Sequence, residues 1–358
     1  MKLSSKCFVA LVWLSFSIFV QAQSGGQFRV ASNVIAGGSS EQAAGGQFKV
    51  RSTIGQGING SFAGAQQSVS SGFWSRFLVA HKPFDFDGDN KTDIGIFRPV
   101  GAASEWWINR SSNGTTLALQ FGASTDVITP ADFTGDGDTD IAFWKPATGE
   151  WYILRSEDFS FFAFPFGANG DVPAPGDFDG DGKSDAALFR PSTATWFISR
   201  SSGGGTLIVQ FGLTGDVPVV SDYDGDGKSD IAIFRPSAGE WWLNRSTLGG
   251  FATPFGSGAD KPVPGDYTGD GKSDIAFWKP SSGEWYVLRS EDNSYFSFPF
   301  GGSGDIPAPG DYDGDGKFDP TVFRPSSATW FIGRTSAGTQ IVQFGAPGDK
   351  PVASAFIP

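Results

Sequence analysis

The chemistry most visible in this sequence is carboxylate chemistry at a fixed spacing. Asp222-Tyr223-Asp224-Gly225-Asp226-Gly227-Lys228-Ser229-Asp230 sets four acids at positions 1, 3, 5 and 9 of a stretch broken by two glycines. Such a segment makes a poor core and a good cage for a hard cation, because calcium takes about six to eight oxygen ligands from carboxylates and backbone carbonyls. The glycines let the chain curl until alternate side chains converge. An apolar, β-branched run, Ile231-Ala232-Ile233-Phe234, follows at once. A strand therefore leaves the loop where an EF-hand has a helix, and Ile233 stands where an EF-hand has its closing glutamate.

The loop recurs. First aspartates fall at Asp85, Asp132, Asp177, Asp222, Asp266 and Asp311, at intervals of 47, 45, 45, 44 and 45 residues. A fixed period of this length marks a repeat architecture. In each repeat a strand leads into the loop, as from Pro262 to Tyr267, and a second follows it, Asp274 to Pro280. Gly283 turns the chain into a third, Glu284 to Arg289, and a fourth ends on Phe300-Gly301. Four short strands per repeat is the content of one propeller blade. Repeats 2 and 5 share Trp-Lys-Pro and Arg-Ser-Glu-Asp, repeats 3 and 6 share Ala-Thr-Trp-Phe-Ile, and repeats 1 and 4 share Glu-Trp-Trp. A duplicated three-repeat unit predicts six blades rather than seven.

The expected fold is all-β: a six-bladed β-propeller of four-stranded blades over 79–358, preceded by a small Gly-rich β module. Asp349 to Phe356 repeats the strand-one pattern with Ala355 in place of the loop aspartate. Residues 349–358 are thus predicted to close the ring, either displacing or flanking Pro83-Phe84, which removes exposed sheet edges.

The Phe-Gly at the end of the fourth strand, the Gly-Asp-x-Pro after it and the Asp-Tyr-Asp-Gly-Asp-Gly-Lys-Ser-Asp loop resemble the FG-GAP (or VCBS) repeats of integrin α-subunits and many exported bacterial proteins. The resemblance covers roughly 80–358. It implies that the loop carboxylates ligate calcium, with a backbone carbonyl at position 7. The side-chain ligands would be Asp85, Asp87, Asp89, Asp93; Asp177, Asp179, Asp181, Asp185; Asp222, Asp224, Asp226, Asp230; and Asp311, Asp313, Asp315, Asp319. Repeats 2 and 5 carry Thr134 and Thr268 at position 3, leaving Asp132, Asp136, Asp140 and Asp266, Asp270, Asp274. Up to six Ca2+ ions are expected, bound more weakly in repeats 2 and 5, with Asp138 at position 7 partly compensating in repeat 2.

The third strand has its own constellation. Trp106, Trp151, Trp196, Trp241, Trp285 and Trp330 each precede an arginine by four residues: Arg110, Arg155, Arg200, Arg245, Arg289 and Arg334. That spacing puts both on one face of a strand. One reading is packing between blades, with the guanidinium on a ring or paired to Asp216 or Asp260 of the Gly-Asp-x-Pro segments. The other is a sugar platform completed by Glu240 or Glu284.

Net charge is -12, and 23 of the 38 acids lie in the six loops, so the acidity is mostly cation-binding capacity. No basic run suggests nucleic acid or an anionic membrane, and the acidic field opposes both. Residues 1–22 read as a secretory signal: Lys2 and Lys6, then Phe8 to Val20, then Val20-Gln21-Ala22. Export to the cell exterior, cell surface or periplasm is expected. Cys7 leaves with the signal, so the mature chain has neither cysteine nor disulfide. Residues 23–78, rich in Gly, Ser and Gln, form a small β module or a linker.

His81 is the sole histidine. Without cysteine, nucleophile–histidine pairs and His-ligated metals are excluded, and Glu105, Glu150, Glu240 and Glu284 recur too regularly for a unique acid–base pair. The expectation is no enzyme. The function expected is an extracellular interaction or adhesion scaffold binding a protein or glycan. The alternatives are a calcium-dependent lectin with glycans between blades and, further off, a carboxylate-based polysaccharide-active enzyme.

Overall fold

The structure, a computed structural model, describes residues 82–357. The expected signal at 1–22, the module at 23–78, Cys7 and His81 lie outside the described residues. The rest is a six-bladed propeller of four-stranded antiparallel sheets. Blade 4 shows the plan: an inner strand Val217–Pro218, a second strand Ile231–Arg235, a third Glu240–Arg245 and an outer strand Gly249–Pro254. Connections alternate between two ends. The Asp loops and the hairpins from third to outer strand share one end; the hairpins from second to third strand and the crossovers to the next blade share the other.

Burial follows position in the blade. Second strands, flanked on all sides, are buried at four successive residues in Ile231–Arg235 and Ile275–Lys279. Third strands alternate buried and half-buried residues, and outer strands alternate half-buried and exposed ones, as in Glu150–Leu154 and Phe161–Pro165. A run of continuous apolar residues followed by alternating ones is what this gradient requires.

The six periodic tryptophans are the largest core side chains, each 0% exposed. Their indole Nε1–H donates to the carbonyl of the phenylalanine ending the outer strand: Trp241 to Phe255 at 2.8 Å, Trp285 to Phe300 at 2.8 Å and Trp106 to Phe121 at 2.9 Å. A buried indole needs such an acceptor. The glycine after each phenylalanine has positive φ, 110° at Gly256, and turns the chain toward the next blade. The Phe-Gly pair is thus an acceptor joined to a turn. Trp241→Ala is expected to cost about 3–5 kcal/mol. Calorimetry showing less than about 1 kcal/mol lost would reject this core role.

The ring closes as the sequence predicts. Lys350–Pro351 pairs with Phe97 and Ile96 of Ile94–Val100, in the inner position of blade 1. It flanks rather than displaces the chain start: the Phe84 carbonyl accepts from Asp93 N at 2.9 Å, as Ala131 does from Asp140 in blade 2. Blade 1 therefore takes its strand-one ladder from the chain end and its loop lead-in from Pro83-Phe84.

Candidate functional site

Each Asp loop is built by its own carboxylates. In loop 4, Asp222 accepts from Gly225 N at 2.7 Å and Gly227 N at 2.9 Å, which curls the chain. Asp230 accepts from Tyr223 N at 2.9 Å and, with its other oxygen, from Ser246 N at 2.7 Å, tying the loop to the third-to-outer hairpin. Ser246 Oγ donates to Asp226 at 2.6 Å. The same pattern recurs around Asp93, Asp140, Asp185, Asp274 and Asp319. Sequence spacing marks these acids as ligands, but not their second task of pinning the hairpin.

Within this frame the structure gathers carboxylate oxygens within 4.8 Å of one another in four loops: Asp85, Asp87, Asp93; Asp177, Asp179, Asp185; Asp222, Asp224, Asp230; and Asp311, Asp313, Asp315. These triads fall in repeats 1, 3, 4 and 6, the repeats with a carboxylate at each of positions 1, 3, 5 and 9. Among the described residues, loops 2 and 5 form no such triad. Asp89, Asp181, Asp226 and Asp319 stand outside the tight groups of their loops. Position 3 is the telling one. Asp87 and Asp224 each keep a buried oxygen without a hydrogen-bond partner, and so do the hydroxyls of Thr134 and Thr268. Buried polar atoms are rarely left so, and here four occupy equivalent loop positions, two of them not acidic. The arrangement can hold a metal ion in the four carboxylate-rich loops.

Burial pushes Asp93 up to about 7 and Asp140, Asp185, Asp230, Asp274 and Asp319 up to about 6, against opposing backbone hydrogen bonds. The loops also form a closed belt. The position-8 N–H of each donates to the position-1 carbonyl of the preceding blade's loop: Ser229 to Asp177 at 2.6 Å, Ser273 to Asp222 at 2.7 Å and, across the closure, Thr92 to Asp311 at 2.8 Å. Position-7 side chains lie across the preceding loop: Lys183, Lys228, Lys272, Lys317 and Lys91 press on Gly135, Gly180, Gly225, Gly269 and Gly314, all at positive φ. Asp138 is the exception, its carboxylate lying over Gly88 of loop 1 where the other loops place a lysine. Burial and the nearby charges of Asp136, Asp85, Asp132 and Asp87 raise it to about 6.

At the opposite end the Gly-Asp-x-Pro aspartates are clamped by arginine, but not by the arginines the spacing suggested. Arg235, ending the second strand, holds Asp216 through Nε and a terminal nitrogen, both at 2.9 Å. Arg98–Asp349, Arg190–Asp171 and Arg324–Asp305 repeat this. Arg245 instead lies over Phe251 at 5.3 Å and donates to the Gly249 carbonyl. With Trp241 fully buried, the alternative reading of a Trp241–Arg245 sugar platform fails, and packing is the role of the periodic tryptophans. Blades 2 and 5 put Lys145 and Lys279 in the clamping slot, over Tyr152 at 4.8 Å and Tyr286 at 5.8 Å. One oxygen of Asp126, a buried residue, is left without a partner. Lys145→Arg restores the fork and is expected to stabilise by about 1 kcal/mol; a lowered melting temperature would count against it.

An FG-GAP-like repeat model matches residues 132–188, 222–277 and 266–319. No curated protein matches the sequence significantly. Among solved structures, an Agrocybe aegerita lectin described as specifically recognising non-reducing terminal N-acetylglucosamine is 20% identical, with TM-score 0.50 over 75% of this chain and 78% of the lectin. A streptogramin B lyase is 10% identical, with TM-score 0.47 over 71% of this chain and 83% of its own. A Staphylococcus aureus virginiamycin B lyase is 9% identical, with TM-score 0.41 over 74% and 87%. These likenesses concern the fold. The expectation of no enzyme is nevertheless corrected, since a propeller fold leaves enzyme activity open either way. The scaffold does not fix the chemistry, and a missing histidine or cysteine does not exclude it. Among the described residues, no helix is long and apolar enough to cross a membrane. The described residues form a six-bladed β-propeller in which 132–188, 222–277 and 266–319 match FG-GAP-like repeats.

Proposed function

We propose that the chain is a calcium-braced propeller working outside the cytoplasm as a binding scaffold for a protein or glycan. Residues 1–22 direct export. The observation that carries the metal reading is the orphaned position-3 oxygen in loops 1, 2, 4 and 5. A hard cation supplies the missing partner, and oxygen-only donors favour calcium over zinc or copper. The ligands are the aspartates at positions 1, 3, 5 and 9, with hydroxyls replacing carboxylates at Thr134 and Thr268. The ion has a bracing role, joining each loop to the hairpin of its own blade.

Calcium titration of the metal-free full chain by calorimetry tests this. The expected result is up to six sites, four tight and two weaker, with Thr134→Asp moving one site from the weak to the tight class. Absence of heat and of any thermal shift at millimolar calcium would sink the reading.

A further inference from the structure

We infer that Trp242 and Trp107, half a ring apart in blades 4 and 1, are carbohydrate subsites for a neutral hexopyranose unit of a glycan. This deepens the scaffold reading and rests on it. Strand alternation turns Trp242 to the face opposite the buried Trp241, and it is 37% exposed. Its ring is held before any ligand arrives. Indole Nε1–H donates to Glu240 Oε2 at 3.0 Å, and the Arg235 guanidinium lies 5.1 Å from the ring centroid, itself locked by Asp216 and 3.6 Å from Glu240. A preformed aromatic surface loses little freedom on binding.

The cross-strand partner of Trp242 on the outer strand is Ala252, a small residue that leaves the indole standing proud. Blade 1 repeats the set: Trp107 donates to Glu105 at 3.0 Å, lies 5.1 Å from the Arg98 guanidinium and pairs with Ala118. Blades 3 and 6 keep the clamped arginine over a ring but differ in the rest, with Phe197 and Phe331 paired to Ile208 and Ile341, and Thr195 and Thr329 where the glutamate stands. The chemistry offered is an indole surface edged by a carboxylate and a guanidinium. A pyranose is complementary, with a C–H face for the ring and hydroxyls for the edge. Arg235 is already matched by Asp216, and Glu240 adds a further negative charge, so the site disfavours uronic and sialic acids.

The test is a glycan array on the calcium-loaded full chain, followed by titration of the best free glycan. The parent, Trp242→Ala, Trp107→Ala and the double variant are compared, each with its melting temperature and calcium titration. The expected result is two sites in the parent and one in each single variant. Apparent affinity for immobilised glycan falls about 100-fold in the single variants through lost avidity. The double variant does not bind. The melting temperature stays within a few degrees for Trp242→Ala, whose side chain is exposed, and falls further for Trp107→Ala, which is half-buried against the blade 1 core. A blank array from a folded, calcium-binding parent overturns this inference alone, as does glycan binding that survives in the double variant. Glycan binding without calcium binding would instead overturn the metal reading.

Discussion

Removing residues 349–358 is expected to convert the ring into an open, aggregation-prone sheet stack. The segment supplies the inner strand of blade 1 through Lys350–Pro351. It also brings the Asp349 carboxylate to Arg98, at 2.8 and 2.9 Å. Val352 and Ala353 are buried at 1% and 4% exposure against the blade 1 core, and Phe356 stacks on Phe84 at 6.2 Å. Gly95 has no room for a Cβ because Ile108 and Val352 together fill the space. Burial of Val352 is worth roughly 1.5–3 kcal/mol, and the strand bonds and the arginine clamp about 1–3 kcal/mol each. The sum, on the order of 5 kcal/mol, compares with a total stability of about 5–15 kcal/mol for a typical domain. The cut also exposes Ile94–Val100 as an unpaired edge. Size-exclusion chromatography and thermal melting of the truncated chain are the measurements. A monomer melting within about two degrees of the parent would show that the ring does not depend on this clasp. Asp349→Ala, which removes only the clamp, is expected to give a smaller loss and a monomer.

The same closure shows what sequence could carry. Period, blade number, loop positions and the closing strand all follow from self-similarity, which is local pattern repeated. The buried tryptophans follow too, since one large aromatic per repeat fits a propeller core. The arginine assignments did not, because they depend on register. Arg245 and Trp241 share a strand face by spacing, yet the residue that meets Asp216 is Arg235, brought opposite Glu240 by pairing of the second and third strands. Trp242 was overlooked for the same reason: its neighbour carries the period, and only the sheet shows which of the two faces outward. Asp138 fell outside local reasoning as well. Its position in loop 2 is plain, but its contact is with the preceding loop around the ring, and nothing in one repeat specifies the stacking of two.

Metal-free and calcium-loaded protein are expected to depend on pH in opposite directions. In the metal-free chain the position-9 aspartates titrate at about 6, and Asp93 at about 7, because burial disfavours their charged form. Their unfolded value is about 3.9. A carboxylate whose folded pKa lies above its unfolded one binds more protons folded, so stability is greatest below about pH 4 and falls as pH rises toward 6–7. A shift of about two units corresponds to about 3 kcal/mol per group. All six residues are at most 1% exposed, so little solvent screening reduces it. Burial of these groups therefore opposes the closed loop geometry at neutral pH while the acids are ionised and cation-free. Bound calcium is expected to reverse the sign, because it needs the ionised acids: a ligand at a thousand times its dissociation constant stabilises by roughly 4 kcal/mol per site, and protons would displace it below about pH 6. Melting curves from pH 4 to 8, recorded on desalted metal-free protein and in millimolar calcium, should therefore cross. Parallel curves would show that these aspartates neither titrate as the burial requires nor hold the ion.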